Sequence, residues 1–77
     1  MRYFFHFRGK HRYFPDTEGT ELPDNAAAKE EGRISARELL GLDHGGRSRL
    51  FAGGNFEITD ATGLLVGVTE FLELKLA

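Results

Sequence analysis

The side chains best suited to chemistry crowd the start of the chain. Arg2-Tyr3-Phe4-Phe5-His6-Phe7-Arg8 is followed closely by His11, Arg12 and Tyr13. A strand sends alternate side chains to opposite faces. Tyr3, Phe5 and Phe7 then share one face, and Arg2, Phe4, His6 and Arg8 the other. A return strand over residues 11–15 adds His11 and Tyr13 to the second face. Arg2, Phe4, His6, Arg8, His11 and Tyr13 are therefore the candidate binding set. Rings interleaved with cations suit two occupants. One is another protein surface, and a second copy of the chain is the first expectation. The alternative is a nucleic acid, held by base stacking and phosphate contacts, or a toxin partner.

Other chemistries find less in the sequence. His6, His11 and His44 are the only histidines and Cys is absent. His6 and His11 sit diagonally on one hairpin face with no acid beside them there, so neither a metal nor a cofactor is expected. Asp16-Thr17-Glu18-Gly19-Thr20-Glu21 has the acidity of a calcium loop, but Thr20 and Ala27 occupy its fifth and twelfth positions. Gly45-Gly46-Arg47-Ser48-Arg49 lacks the spacing of a phosphate loop, and no dinucleotide fingerprint opens a helix. Ser35 and Ser48 are the only serines, and no neighbouring base marks either as a nucleophile. No catalytic residue is assigned, and a non-enzymatic protein is expected.

The elements that must position these residues follow from composition and pattern. The chain has 77 residues, a net charge of −2, seven Phe and two Tyr. That length gives one domain, 1–77, near the lower limit for independent folding. Without disulfides, stability rests on an aromatic core and on self-association. No apolar run approaches the roughly 18–20 residues of a membrane span, and no signal peptide is recognisable, so a cytoplasmic location is expected. Charge is uneven. Residues 1–15 hold bases and no acid, and residues 16–24 hold acids and no base. That asymmetry implies internal pairing or contact between copies.

The expected order is a hairpin 2–15, an acidic loop 16–23, a helix 24–41, a Gly-rich loop 41–54 and a C-terminal hairpin 55–77. Gly9-Lys10 reads as a two-residue turn that sets Arg8 opposite His11 and Phe5 opposite Phe14. Pro15 limits the second strand to an edge. Leu22 pins the acidic loop. Asp24 is a suitable N-cap and Gly41 a suitable C-cap. Ala28, Gly32, Ser35, Ala36 and Leu39 form a stripe of mostly small residues, which lets the helix lie close on a sheet of large rings. Asp60-Ala61-Thr62-Gly63 reads as a type I turn with a left-handed glycine. The result is an α+β, two-layer ββαββ fold, mainly antiparallel, with one helix on one face. Phe5, Phe7, Phe14, Leu39, Phe56, Ile58, Val66 and Val68 are the expected core.

From Leu64 to Ala77 the even positions are apolar except Glu70. Fourteen extended residues would reach about 46 Å, too long for one small domain. Either the chain bends near Glu70, or a dimer forms in which Phe71, Leu72, Leu74 and Leu76 contribute to the interface.

The opening Arg2-Tyr3-Phe4-Phe5-His6, the loop Pro15-Asp16-x-Glu18-Gly19-Thr20-Glu21-Leu22-x-Asp24, the stretch from Ala27-Ala28 to Ser35-Ala36-Arg37-Glu38-Leu39-Leu40, and Phe56-Glu57-Ile58-Thr59-Asp60-x-x-Gly63 carry a resemblance. Together they resemble a family of short, uncharacterised bacterial proteins known only as a domain of unknown function. The resemblance implies a small α+β domain without an established activity. Two places depart from the pattern: Gly9-Lys10 stands where Asp-Gly is expected, and the 41–54 connection is rich in glycine. The layout of a hairpin followed by a helix is also similar to HicB-like antitoxin domains, a likeness of arrangement that transfers no function.

Overall fold

The computed structural model describes residues 1–42 and 53–71. In chain order the elements are β1 (Arg2–Arg8), β2 (Tyr13–Phe14), β3 (Thr20–Glu21), α1 (Asn25–Leu42), β4 (Asn55–Asp60) and β5 (Leu65–Glu70). The strands form one five-stranded sheet in the order β2-β1-β4-β5, with β3 paired to β1 as well. All pairings are antiparallel. One helix and this sheet make an α+β fold. The acidic loop thus contains a short strand, β3, that the sequence pattern did not indicate.

β1 is the centre of the sheet. It pairs with β4 from Tyr3↔Asp60 to Arg8↔Asn55 along one edge. Its other edge is shared: Phe7↔Phe14 and Arg8↔Tyr13 join β2, and Arg2↔Glu21 and Tyr3↔Thr20 join β3. The expected two-residue turn is not formed. Gly9 is absent from the positive-φ glycines, whereas a type II′ turn would need it there. Residues 9–12 form the connection instead, closed by the Gly9 N–H donating to the Arg12 carbonyl at 2.7 Å. The shift sets Phe14 against Phe7, with ring centroids 6.1 Å apart, and the Arg8 guanidinium 4.4 Å from the Tyr13 ring centroid. It also removes His11 from the strand.

α1 starts where Asp24 caps it, its Oδ1 accepting the Ala27 N–H at 2.8 Å. The small-residue stripe faces the sheet: Ala28 and Ala36 are fully buried, Gly32 is buried, and Ser35 and Leu39 are half-buried. Close approach explains Gly32. A Cβ built there would lie 2.8 Å from Ile58 Cδ1 and 2.9 Å from Thr69 Oγ1. At the far end the helix runs through Gly41 to Leu42, so Gly41 is not its C-cap.

The core gathers Tyr3, Phe7, Phe56, Ile58 and Phe71 beneath Ala28 and Ala36, with Phe5, Leu22, Leu39 and Val66 packed around it. Phe71 meets Phe56 and Phe7 edge-on at 5.0 and 5.3 Å between centroids, the geometry that ring quadrupoles favour. Tyr3 is fully buried and its hydroxyl donates to Asn25 Oδ1 at 2.7 Å, so the polar end of this core side chain is satisfied at the helix start.

Two expected core residues lie elsewhere. Phe14 is 50% exposed, because α1 lies over β4 and β5 and leaves β2 uncovered among the described residues. Val68 is 51% exposed, because β5 carries a bulge. Ile58 faces Gly67 but Thr59 faces Leu65, which leaves Val66 as the extra residue. One inserted residue flips the parity of everything beyond it. Gly67, Thr69 and Phe71 therefore face the helix, while Val68 and Glu70 turn away. The strand ends at Glu70, and the next N–H, that of Phe71, donates to the Gly54 carbonyl at 3.0 Å. Phe71, expected at an interface between copies, is fully buried in the chain's own core. Leu72, Leu74 and Leu76 lie outside the described residues.

The second hairpin turns at residues 60–64. The Asp60 carbonyl accepts the Gly63 N–H at 3.0 Å, and Gly63 takes φ +89°, a conformation that costs glycine little. Asp60 Oδ1 also accepts from the Thr62 hydroxyl, Thr62 N–H and Leu64 N–H at 2.6, 2.9 and 3.1 Å.

Candidate functional site: the open face of the sheet

α1 covers one face of the sheet, and the candidate binding residues lie on the other. β1 places Arg2, Phe4, His6 and Arg8 there in a row, and β2 places Tyr13 beside Arg8. The rings stack along the strand: Phe4 and His6 are nearly parallel, 9° apart at 6.3 Å, and His6 is 6.2 Å from Tyr13. His11 does not join them. It sits exposed in the 9–12 connection between Lys10 and Arg12.

Three residues outside the first hairpin complete the face, and they alter its electrostatics. β4 alternates, so with Phe56 and Ile58 buried, Glu57 and Thr59 point to the open side. Glu57 stands opposite His6 in the ladder and takes the Arg8 guanidinium in a two-pronged grip, 2.8 Å from Nε and 3.3 Å from the second nitrogen. The Glu57 hydrogen bond holds the Arg8 charge in place. Thr59 stands opposite Phe4 and its hydroxyl lies 3.1 Å from His6 Nε2. Asp16, from the acidic loop, is the third.

Asp16 closes the gap between β2 and β3. Its Oδ2 accepts the Phe5 N–H at 3.1 Å, where β1 has neither short strand to pair with. Its Oδ1 accepts the N–H groups of Glu18 and Gly19, both at 3.1 Å, and so shapes the loop. Burial pushes the Asp16 carboxyl up, but the Phe5, Gly19 and Glu18 amides and the nearby imidazole outweigh it and hold it below the ordinary carboxylate value. The Asp16 N–H donates in turn to His6 Nδ1 at 3.0 Å. An Nδ1 that accepts leaves the proton of neutral His6 on Nε2, where it donates to Thr59. Both imidazole nitrogens are occupied within the chain.

Arg2 is engaged too. It donates to the Glu18 carbonyl at 2.6 Å and lies 3.5 Å from a Glu21 carboxylate oxygen. The basic opening and the acidic loop thus pair internally. No three His, Cys, Asp or Glu side chains converge as a metal site among the described residues. What the face offers is a lattice of rings whose two Arg side chains are paired within the chain, bordered by exposed Tyr13, Leu65 and Val68.

Glu57 and Thr59 were legible as outward residues from the alternation of β4, but only the β1–β4 pairing brings them to His6 and Arg8. Asp16 carried no periodic signal; Asp after Pro in a turn-rich loop, able to accept several backbone N–H groups, was the available clue. No curated protein and no solved structure matches the chain, and the HicB-like likeness finds no support in these comparisons. A family model, however, matches residues 2–72, which take in the open face, the acidic loop, the helix and both outer hairpin strands, and the chain belongs to that family, described as Domain of unknown function (DUF6894).

Proposed function

We propose that this chain is a small, non-enzymatic protein-binding module that associates with itself, most simply as a cytoplasmic homodimer, through the uncovered part of its sheet. The observation that carries this reading is the internal pairing of the charges on the open face. Arg2 is matched by Glu21 and Arg8 by Glu57, and the His6 ring nitrogens are taken up by the Asp16 backbone N–H and the Thr59 hydroxyl. A phosphate-binding surface keeps its cations available for the phosphates. Here a phosphate would have to displace Glu57 from Arg8. Apolar side chains, by contrast, are left exposed around these paired cations: Tyr13, Leu65 and Val68 are 44, 54 and 51% exposed. Aromatic residues and Arg are the groups enriched at protein interfaces.

The alternative, nucleic-acid contact through the same face, predicts a different response to salt. Phosphate contacts release counterions, and affinity then falls steeply as salt rises. Titration of a fluorescent single-stranded oligonucleotide at low salt, beside the molar mass of the protein across a salt series, separates the two. The expected result is no saturable oligonucleotide binding and a self-association that persists as salt increases. Saturable binding that Arg8→Glu and Tyr13→Ala each abolish would replace the protein-binding reading.

A further inference from the structure

The two edges of the sheet differ. On one side, β2 and β3 are two residues each, Pro15 follows β2, and the Asp16 carboxylate caps the β1 amide between them. Short strands, proline and a local side-chain acceptor all blunt an edge against further pairing. β5, at the other side, has six residues, Leu65-Val66-Gly67-Val68-Thr69-Glu70, and pairs only with β4 among the described residues. It contains no Pro, no Lys and no Arg, and its one charge lies at its end. A row of backbone donors and acceptors of this kind is completed by another strand.

We propose that the occupant is β5 of a second copy, paired antiparallel about a twofold axis with Val68 opposite its counterpart. This rests on the self-association reading above and gives it a geometry. Residues directly opposite in an antiparallel pair share a face. Beyond the bulge, Val68 and Glu70 lie on the open face and Gly67 and Thr69 on the helix face. Registers that set Val68 against Gly67 are therefore excluded. Centring on Val68 matches the faces at the middle of the seam: Val68 meets Val68, and each Thr69 meets the Gly67 of the other copy, with Glu70 reaching the bulge at Val66. Centring on Thr69 would instead set each apolar Val68 against a Glu70 carboxylate. The two Glu70 carboxylates then lie at opposite ends of the seam. A parallel pairing would bring them side by side, which is unfavourable. The segment is thus its own complement, and the two open faces join into one continuous surface with Val68 at its middle.

The absence of Cys makes the register testable. Opposed residues in such a ladder have Cα atoms about 4.5–5.5 Å apart, within the range a disulfide spans. Val68→Cys is expected to form a disulfide-linked dimer under mild oxidation, whereas Thr62→Cys, in the hairpin turn, stays monomeric on reducing-free gels. Wild-type hydrogen exchange supplies a test without a variant. β5 amides are expected to exchange about tenfold more slowly at concentrations where the dimer dominates, with β2 and β3 amides unchanged. A dimer whose β5 amides ignore concentration, and in which Val68→Cys does not cross-link, would overturn this pairing and leave self-association standing. A wild-type chain that is monomeric at every concentration would overturn both.

Discussion

Replacing Gly32 with Ala sets helix propensity against packing within one residue. In a helix interior Ala is favoured over Gly by about 1 kcal/mol. At Gly32 the added methyl would sit 2.8 Å from Ile58 Cδ1 and 2.9 Å from Thr69 Oγ1, where non-bonded heavy atoms prefer roughly 3.5–4.0 Å. Neither neighbour can give way easily. Ile58 is fully buried, and Thr69 is 8% exposed and β-branched, with its backbone held in the ladder. Relief requires α1 to lift from β4 and β5, which also loosens the contacts of Ala28 and Ala36. Overpacking of this kind costs about 1–3 kcal/mol. The expected net result is a loss of about 1 kcal/mol, or roughly 4–8 °C in melting temperature for a domain of this size. Gly41 is the internal control. It lies in the same helix, is exposed, and a Cβ there would meet nothing within 4 Å. Gly41→Ala is expected to stabilise by up to about 1 kcal/mol. Urea and thermal unfolding followed by circular dichroism, at a single protein concentration, would measure both. If Gly32→Ala proved as stabilising as Gly41→Ala, the close approach of helix to sheet would be wrong.

Phe71→Ala should cost about 3–5 kcal/mol, because the ring is fully buried against Phe7 and Phe56; unchanged melting would place Phe71 outside the core. Asp16→Asn should cost about 1–3 kcal/mol, since Asp16 accepts backbone N–H groups on both oxygens and an amide nitrogen would face one of those donors. Asp60→Asn should cost clearly less, because Oδ1 alone accepts there and Asn retains it; equal losses in denaturant melts would count against this contrast. Asp16 is held low by the Phe5, Gly19 and Glu18 amides against the opposing push of burial, and Asp60 chiefly by the Thr62 hydroxyl. Lowered carboxyls contribute stability that is present above the ordinary value of about 4 and is lost as pH falls through their native values. Melting temperature should therefore decline from about pH 4 downward, and a profile flat to pH 2 would contradict the assignment.

Local pattern carried much of this fold. The alternation of β1 and β4, the Asp24 cap, the small-residue stripe of α1 and the Asp60–Gly63 turn all follow from residues close in sequence, and the structure has each of them. What escaped depended on non-local pairing or on one inserted residue. Val66 makes a bulge only because Ile58 and Thr59 fix the ladder on either side, and it moves Val68 outward and Thr69 inward. The hairpin register was set by Phe14 meeting Phe7 and Arg8 meeting Tyr13, which outweighed the turn preference of Gly9-Lys10. The candidate face was half legible. Its rings and bases were visible in one segment, but their partners Glu57, Thr59 and Asp16 arrive from strands and loops that only the β1–β4 pairing and the acidic loop bring near. Reading the bases without those partners overstated the positive charge of the surface.

Sedimentation equilibrium of the wild-type chain, across protein concentration and at low and high salt, tests the central claim most directly. Self-association through a partly apolar surface whose Arg side chains are paired within the chain should give a mass that rises with concentration toward twice the 8.6 kDa of one chain and changes little with salt. A mass fixed at 8.6 kDa at every concentration, or a dimer that dissolves as salt increases, would contradict it.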